Sequence, residues 1–275
     1  FHDIVSWTSI IAGYNQSGDS EKGLDSLSRM QAESCHPDSM TLSCILKTCG
    51  SVGAIDKGKE VHAMIHSKGK LLLKNVVLGN ALVDMYIKCG SLSEAQEVFE
   101  RLPLRDIVSW TSLITGYAQH GFGLQAISLC KQMQVEGILL NNFTFSAVLK
   151  ACSILPSLNT GKQMHSTIIE SGYRSDVTIG NVLIDMYTKS GSMEYALVVF
   201  KEMHGKDVVS WSALIAGYAH EGQGHEALNC FEQMKNEGLI PNGITFLCVM
   251  SACNHSGLLK ETETYYVNMS KMYKE

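Results

Sequence analysis

The sequence predicts an all-α protein built as a solenoid of stacked helical hairpins, and three observations support this fold class. One phrase occurs three times: DIVSWTSIIAGYNQSG from Asp3, DIVSWTSLITGYAQHG from Asp106 and DVVSWSALIAGYAHEG from Asp207. Apolar residues recur with the helical period, and glycine-containing breaks separate the helices roughly every 15 to 20 residues. Only four prolines interrupt 275 residues, and 45% of the residues are hydrophobic. Self-similarity at a fixed period indicates repeats that pack on their neighbours.

Each long period divides into three helical hairpins. The tryptophans Trp7, Trp110 and Trp211 are 103 and 101 residues apart, and the hairpins within one period are about 35, 35 and 31 residues long. The second hairpin carries two extra residues in its loop KLLLKN, at 70–75. The predicted repeats are 4–38, 39–75, 76–106, 107–141, 142–176, 177–207, 208–242 and the truncated 243–275.

The phrase from Asp106 shows how one hairpin forms. Val108, Leu113 and Tyr117 recur at helical spacing and predict one apolar face, and Ile114 extends it. After the Gly-Phe-Gly turn at 121–123, a second helix follows with its own apolar positions. These are Ala126, Ile127, Leu129, Cys130 and Met133.

Composition excludes several classes of function. No apolar run approaches the ~18 residues of a membrane span. The nine cysteines are odd in number, and three of them (Cys49, Cys152 and Cys253) share one slot of the period, which favours buried thiols in a reducing compartment over disulfides. The segment GAIDKGKE fits a phosphate loop in part, but Glu60 stands where that loop needs Ser or Thr.

The repeat pattern resembles one protein family closely. The 35/35/31 alternation, VSW in each first unit, GKEVH and GKQMH in the second, and GNALVDMYIKCGSLSEAQEVF in the third resemble plant pentatricopeptide repeat (PPR) proteins of the PLS class. That class alternates standard, long and short motifs, and the resemblance covers essentially the whole chain. It implies a right-handed α-solenoid superhelix that binds single-stranded organellar RNA, one base per repeat. The 34-residue tetratricopeptide repeat explains hairpins but not this alternation.

The resemblance also implies which residues select bases. In this family the fifth and the last residue of a motif act as a pair. The matching pairs are Thr8 with Asp38, Asn80 with Asp106, Thr111 with Asn141, Asn181 with Asp207, and Ser212 with Asn242. The family's code implies guanine for Thr/Asp, uracil for Asn/Asp and adenine for Thr/Asn and Ser/Asn, so the predicted RNA is GNUANUAN. The alternative is that the Asp and Asn residues only cap the following helix.

Further positions follow from the same resemblance. Base wedging is expected three residues before each selecting residue, where Thr178 departs from the usual aliphatic side chain. These positions are Val5, Val77, Val108, Thr178 and Val209. Ser43, Ser146 and Asp176 are expected to be weak readers in the long motifs, whereas Leu247 cannot hydrogen-bond a base. Lys88 and Lys189 match a phosphate-facing position. Burial in the hairpin is the competing interpretation for the wedge positions, and ordinary solvation is the competing interpretation for the two lysines.

The long motifs have a second expected role. In the family they are docking surfaces for small editing-factor proteins. Lys59 and His62 recur as Lys162 and His165 on the second helix, where packing or partner contact is expected of the histidines. The third long unit carries Thr262 and Tyr266 at slots that hold Gly and His in the second, which resembles the last long motif before a carboxy-terminal extension.

We therefore expect the chain to be the specificity tract of an organellar C-to-U RNA-editing factor. The zinc deaminase of many relatives needs His-x-Glu and Cys-x-x-Cys, and neither occurs, so no enzyme activity, metal or cofactor is expected. The chain reads as an excerpt of a mitochondrial protein, with the chloroplast as the alternative. The alternatives in function are a protein-binding helical scaffold and an RNA stability or processing factor.

Overall fold

The computed structural model describes residues 3–67, 75–155 and 158–272. In these ranges the chain forms α-helices joined by short turns, without strands, which confirms the all-α class. The helices are α1 (Ile4–Ser17), α2 (Ser20–Ala32), α3 (Ser39–Val52), α4 (Ile55–Ser67), α5 (Val76–Lys88), α6 (Leu92–Arg101), α7 (Ile107–Gln119), α8 (Gly123–Val135), α9 (Asn142–Ile154), α10 (Leu158–Glu170), α11 (Val177–Lys189), α12 (Met193–Glu202), α13 (Val208–His220), α14 (Gly224–Asn236), α15 (Gly243–His255) and α16 (Leu259–Met272). The predicted two-residue insertion in the loop 70–75 lies outside the described residues except for Asn75.

The helices pack in pairs within two compact units, residues 1–139 and 140–275. In the first unit α1, α3, α5 and α7 lie side by side, and α2, α4 and α6 each pack on the helix before and the helix after. In the second unit α9, α11, α13 and α15 form the corresponding layer. Each predicted repeat range holds one such pair.

A capping residue fixes where each helix of this layer begins. The residue before the helix is Asp or Asn, and its side-chain oxygen accepts a hydrogen bond from a backbone N–H in the first turn. The caps are Asp3, Asp38, Asn75, Asp106, Asn141, Asp176, Asp207 and Asn242. Such a cap contributes about 0.5 to 2 kcal/mol, so a shift of the helix start by one residue is disfavoured.

Aromatic pairs hold each short unit against the standard unit that follows. Trp110 is fully buried and meets Phe99 edge-on, with ring centroids 4.7 Å apart. Trp211 meets Phe200 at the same distance in the second unit. Each pair joins a second helix to the next first helix, and edge-to-face contacts of this kind add about 0.5 to 1.5 kcal/mol beyond burial.

Glycine lets neighbouring first helices approach closely. A Cβ atom on Gly116 of α7 would lie 2.7 Å from Cγ2 of Ile87 on α5, and the equivalent Gly217 of α13 faces Thr188 of α11. Gly13 occupies the same motif position in α1, and no described residue lies within 4 Å of a Cβ added there.

This difference predicts opposite effects of the same substitution. Alanine favours a helix over glycine by about 1 kcal/mol, so Gly13→Ala is expected to stabilise the chain by up to that amount. In Gly116→Ala the clash with Ile87 costs about 1 to 3 kcal/mol and outweighs the gain. Thermal and urea unfolding of both variants against the wild type measure the two effects, and equal stabilisation by both would contradict the close packing.

Candidate nucleic-acid interface

The first predicted selecting pair is joined through a third residue. Oγ1 of Thr8, on α1, lies 2.7 Å from Oγ1 of Thr41. Thr41 is the third residue of the next repeat, and its backbone N–H and its hydroxyl each donate to Oδ1 of Asp38 at 2.8 Å. The hydroxyl of Thr8 is also 2.8 Å from the carbonyl oxygen of Ile4. The hydroxyl proton of Thr8 is therefore donated within the protein, to the carbonyl of Ile4 or to Oγ1 of Thr41. The hydroxyl oxygen of Thr8 is left as an acceptor.

The second pair forms a closed triangle. Nδ2 of Asn80 donates to Oδ1 of Asp106 at 3.1 Å. Ser109, again the third residue of the next repeat, places its hydroxyl 2.6 Å from Oδ1 of Asn80 and 2.8 Å from Oδ1 of Asp106. The Ser109 backbone N–H also donates to Oδ1 of Asp106, and the shorter of the two hydroxyl contacts of Ser109 is the one to Asn80. The hydroxyl proton of Ser109 is therefore directed to Asn80.

The second unit contains two further pairs. Nδ2 of Asn181 donates to Oδ1 of Asp207 at 3.2 Å, as in the first short motif. The hydroxyl of Ser210 donates to Asp207 at 2.9 Å instead, and Oδ1 of Asn181 is buried without a hydrogen-bond partner among the described residues.

The pair of the third standard motif repeats the arrangement of the first. Oγ of Ser212 lies 2.8 Å from Oγ1 of Thr245, which donates to Oδ1 of Asn242 at 3.0 Å. Ser212 and Asn181 are buried, whereas Asn242 and Asp207 are exposed. The last residue of each of these two pairs is therefore its more accessible member.

The remaining predicted pair belongs to two different units. Thr111 is half-buried on α7 of the first unit. Asn141 caps α9 in the second unit and accepts from the backbone N–H and the hydroxyl of Thr144 at 2.9 and 2.8 Å.

The three aspartates of the pairs are held in their ionised form. Hydrogen bonds from the backbone and hydroxyl of Thr41 lower the pKa of Asp38. Burial acts to raise the pKa of Asp106, but hydrogen bonds from Ser109 and Asn80 outweigh it and lower the pKa. The same balance, with Ser210 and Asn181 as donors, lowers the pKa of Asp207. At neutral pH all three side chains therefore accept hydrogen bonds and donate none.

An exposed apolar row runs beside the pairs in each unit. The four predicted wedge valines are between 52% and 71% exposed, and Thr178 is exposed as well. The long motifs carry apolar residues at the same motif position with comparable exposure, and the sequence analysis missed them. These are Met40, Phe143 and Ile244. Their shared place, the second residue of the repeat, is a signal that was present in the sequence.

The weak readers of the long motifs have local partners. The hydroxyl of Ser43 donates to the carbonyl of Ser39 in its own helix at 2.8 Å. Ser146 is half-buried, and Asp176 caps α11 by accepting from the backbone N–H of Ile179. Leu247 is 60% exposed.

The predicted phosphate-facing lysines are paired within their own helices. Nζ of Lys88 lies 2.7 Å from Asp84, and Nζ of Lys189 lies 2.8 Å from Asp185. All four side chains are about half exposed, and exposed pairs spaced four residues apart on a helix contribute only about 0.3 to 0.5 kcal/mol. A phosphate oxygen would therefore displace either carboxylate at small cost.

The recurring histidines of the long motifs lie against tyrosines. Nδ1 of His62 is 2.8 Å from the hydroxyl of Tyr86, and Nδ1 of His165 is 2.9 Å from that of Tyr187. Burial lowers the pKa of both histidines. Lys162 donates to the hydroxyl of Tyr195, whereas Lys59 lies 3.7 Å from Glu94. Each histidine thus packs between a long unit and the short unit after it.

The described ranges contain neither a metal-binding cluster nor a helix that could span a membrane. They hold no group of three His, Cys, Asp or Glu side chains placed to bind a metal ion. Among the helices of the same ranges, none combines the length and the apolar character that crossing a membrane requires.

Sequence profiles match the repeats of this chain. The profile of the PPR repeat family matches residues 2–51, 105–153 and 206–255, and a PPR repeat profile matches 80–107 and 181–208.

Similar curated proteins include three pentatricopeptide repeat-containing proteins of Arabidopsis thaliana. Two are 40% identical over 98% and 96% of this chain, and the third, named as chloroplastic, is 37% identical over 100% of it. The chain covers 38%, 36% and 30% of their lengths, so it spans about a third of these relatives.

Solved structures share the fold. The structure of the pentatricopeptide repeat protein PPR10 in complex with an 18-nucleotide psaJ RNA element is similar over 100% of this chain and 41% of that one, with a TM-score of 0.83 and 17% identity. PPR10 from maize gives a TM-score of 0.67 over 97% of this chain and 39% of that one, at 24% identity. The likeness establishes the solenoid fold predicted from the sequence.

The lowered pKa values of the three aspartates predict that the protein loses stability in acid. The contribution of Asp38, Asp106 and Asp207 to the free energy of unfolding is complete above their unfolded pKa of about 4. It is lost as pH falls through the lower folded pKa values. Replacing all three with Asn keeps a capping side chain but removes the titration. Urea unfolding at pH 7 and pH 3 is expected to show a smaller loss of stability in the triple variant. Equal losses in the two proteins would contradict the role of these carboxylates.

Proposed function

The chain belongs to the pentatricopeptide repeat family, and we propose that it binds single-stranded RNA by sequence, one base per repeat, along its first helices. One observation carries this proposal. In each of the two compact units, residues 1–139 and 140–275, every predicted selecting pair that lies within the unit is connected by hydrogen bonds at the start of a first helix. An exposed side chain able to contact a base face lies next to each of these pairs. The RNA named in the PPR10 complex supports the same class of ligand.

The last residue of each pair gives a chemical reason for the proposed choice between purines. In Asp38 and Asn242 the cap uses Oδ1, so the remaining polar atom is Oδ2 in Asp38 and Nδ2 in Asn242. A carboxylate oxygen accepts and an amide nitrogen donates. Guanine presents two N–H donors on its Watson–Crick edge, which suit Asp38, whereas adenine presents the acceptor N1, which suits Asn242.

The proposed uracil readers use a longer side chain. Asn80 directs one Nδ2 hydrogen to Asp106 and its Oδ1 to Ser109, which leaves its second Nδ2 hydrogen as a donor. A donor suits the keto oxygen of uracil and opposes the amino group of cytosine. Because Asn extends further than Thr or Ser, it also reaches the smaller pyrimidine ring.

The exposed row at the second motif position supplies apolar contact to the bases. Aliphatic or aromatic side chains occupy seven of its eight places in the two units, the exception being Thr178. Met40, Phe143 and Ile244 extend the row to the long motifs. The bases written N, which no selecting pair specifies, are therefore proposed to make apolar contacts with these side chains. Lys88 and Lys189 are proposed to contact phosphate, and the net charge of −5 indicates a modest affinity with a shallow salt dependence.

The biological role we propose is that of a specificity tract for organellar C-to-U RNA editing. The proposed RNA is GNUANUAN, and the proposed compartment is the mitochondrion, with the chloroplast as the alternative. The long motifs, whose second helices carry His62 and His165, are proposed to dock small editing-factor proteins. The alternatives remain a protein-binding scaffold and an RNA stability or processing factor.

A change of the selecting residues tests base reading directly. In the double variant Asn80→Thr and Asn181→Thr, the preference at RNA positions 3 and 6 of GNUANUAN is expected to move from uracil to guanine. Each good base contact is worth about 1 to 3 kcal/mol, which corresponds to a change of about five- to 150-fold in relative affinity. Gel-shift or anisotropy titrations with the four bases at each position measure it.

The matched control is the RNA position read by Ser212 and Asn242. Its adenine preference is expected to stay unchanged in the double variant. Uniform binding of all sequences by the wild type, or no RNA binding, would reject one-base-per-repeat reading and favour the protein scaffold.

The editing role is tested with the full-length protein in the plant. Loss of the gene is expected to abolish conversion of a cytidine downstream of a GNUANUAN site, and full-length protein is expected to restore it. The double variant at Asn80 and Asn181 is expected not to restore it. Unchanged editing with an altered transcript level would instead indicate an RNA stability factor.

A further inference from the structure

A buried hydroxyl follows each of the five predicted selecting pairs. It belongs to the third residue of the next repeat, and in all five places the residue is 0% exposed. These residues are Thr41, Ser109, Thr144, Ser210 and Thr245. After the two complete long motifs, the same slot holds the apolar residues Leu78 and Ile179. The hydroxyl therefore occurs where a strict reader is predicted and is absent where a weak reader is predicted.

Three of these hydroxyls contact the selecting residue directly. Thr41 lies 2.7 Å from Thr8, Ser109 lies 2.6 Å from Asn80, and Thr245 lies 2.8 Å from Ser212. In each case the same hydroxyl oxygen also lies 2.8 to 3.0 Å from Oδ1 of the last residue of the pair. One buried group thus contacts both side chains of the pair and constrains which of their polar atoms are left for other hydrogen bonds.

The slot after the first long motif holds no such group. Leu78 fills the slot after Ser43, and the hydroxyl of Ser43 bonds Ser39 in its own helix. Leu78 offers Ser43 no hydrogen-bond partner, so nothing in this slot links Ser43 to the last residue of its repeat.

We propose that the buried hydroxyl at the third position of a repeat, where it contacts the selecting side chain of the repeat before it as Thr41, Ser109 and Thr245 do, is a positioning residue that sets the base preference of that preceding repeat. It does so by fixing the hydrogen-bonding direction of the selecting side chain. This inference rests on the proposed function. It assigns to the slot a role beyond capping, because a cap alone needs no contact with the fifth residue of the preceding repeat.

The two short motifs provide a comparison within one molecule. Both read with Asn and Asp, and both have a serine that completes a capping box. Ser109 also holds Asn80, whereas Ser210 bonds Asp207 and Oδ1 of Asn181 is without a partner among the described residues. Ser109→Ala and Ser210→Ala thus remove the same cap contacts, but only the first removes a bond to the selecting residue.

The experiment measures uracil-over-cytosine preference at RNA positions 3 and 6 for wild type, Ser109→Ala, Ser109→Thr and Ser210→Ala. A net hydrogen bond of about 1 kcal/mol corresponds to about fivefold. Ser109→Ala is expected to lose about that factor at position 3 and nothing at position 6. Ser109→Thr, which keeps the hydroxyl, is expected to retain the preference, and Ser210→Ala is expected to change the preference at position 6 by less than twofold.

Thermal unfolding of the same variants separates positioning from stability. Both alanine variants are expected to lose similar stability, since they remove equivalent caps. If Ser109→Ala keeps its preference at position 3, or weakens binding equally at both positions, the positioning role is overturned. If the wild type itself shows no preference at either position, the proposed function fails, and the inference fails with it. This outcome is distinguishable, because the preference is then missing in the wild type and not only in the variant.

Discussion

The structure depends on one capping interaction, repeated at the start of every first helix. The last residue of each repeat accepts a hydrogen bond from the first turn of the next helix, and this bond fixes the residue at which that helix begins. Once the start is fixed, the second, third and fifth residues point in fixed directions, because a helix advances 100° per residue. The exposed row, the buried hydroxyls and the proposed selecting residues therefore all derive their placement from the cap.

Much of this arrangement was predictable from the sequence, because it depends on local rules. Asp106 and Asp207, each followed by an apolar helical pattern, predicted helix starts, and the recurrence of the phrase predicted the same hairpin geometry once in every three repeats. The links between repeats were not predictable. The contact between Ser109 and Asn80 spans 29 residues, and a serine at a helix start already has a sufficient local explanation as a cap.

The long motifs differ from the others through packing as well as polarity. Leu78 and Ile179 are buried in the slot where the other repeats hold a hydroxyl, so the junction after a long motif gains apolar contact and loses a polar link. On the second helices of the same long motifs, His62 and His165 bond buried tyrosines of the next unit. At this slot, apolar contacts stabilise the junction after a long motif. At the junctions after standard and short motifs, the same slot orients polar side chains by hydrogen bonds.

The distribution of buried hydroxyls also limits how much information the chain can carry. If each of the five pairs specifies one base and the long motifs specify none, a match arises by chance about once in every 1,000 nucleotides. A pool of transcripts several times that length contains several equivalent sites. Selecting one of them requires either further specifying repeats or a second recognition event, such as a partner protein that tolerates only one neighbouring sequence.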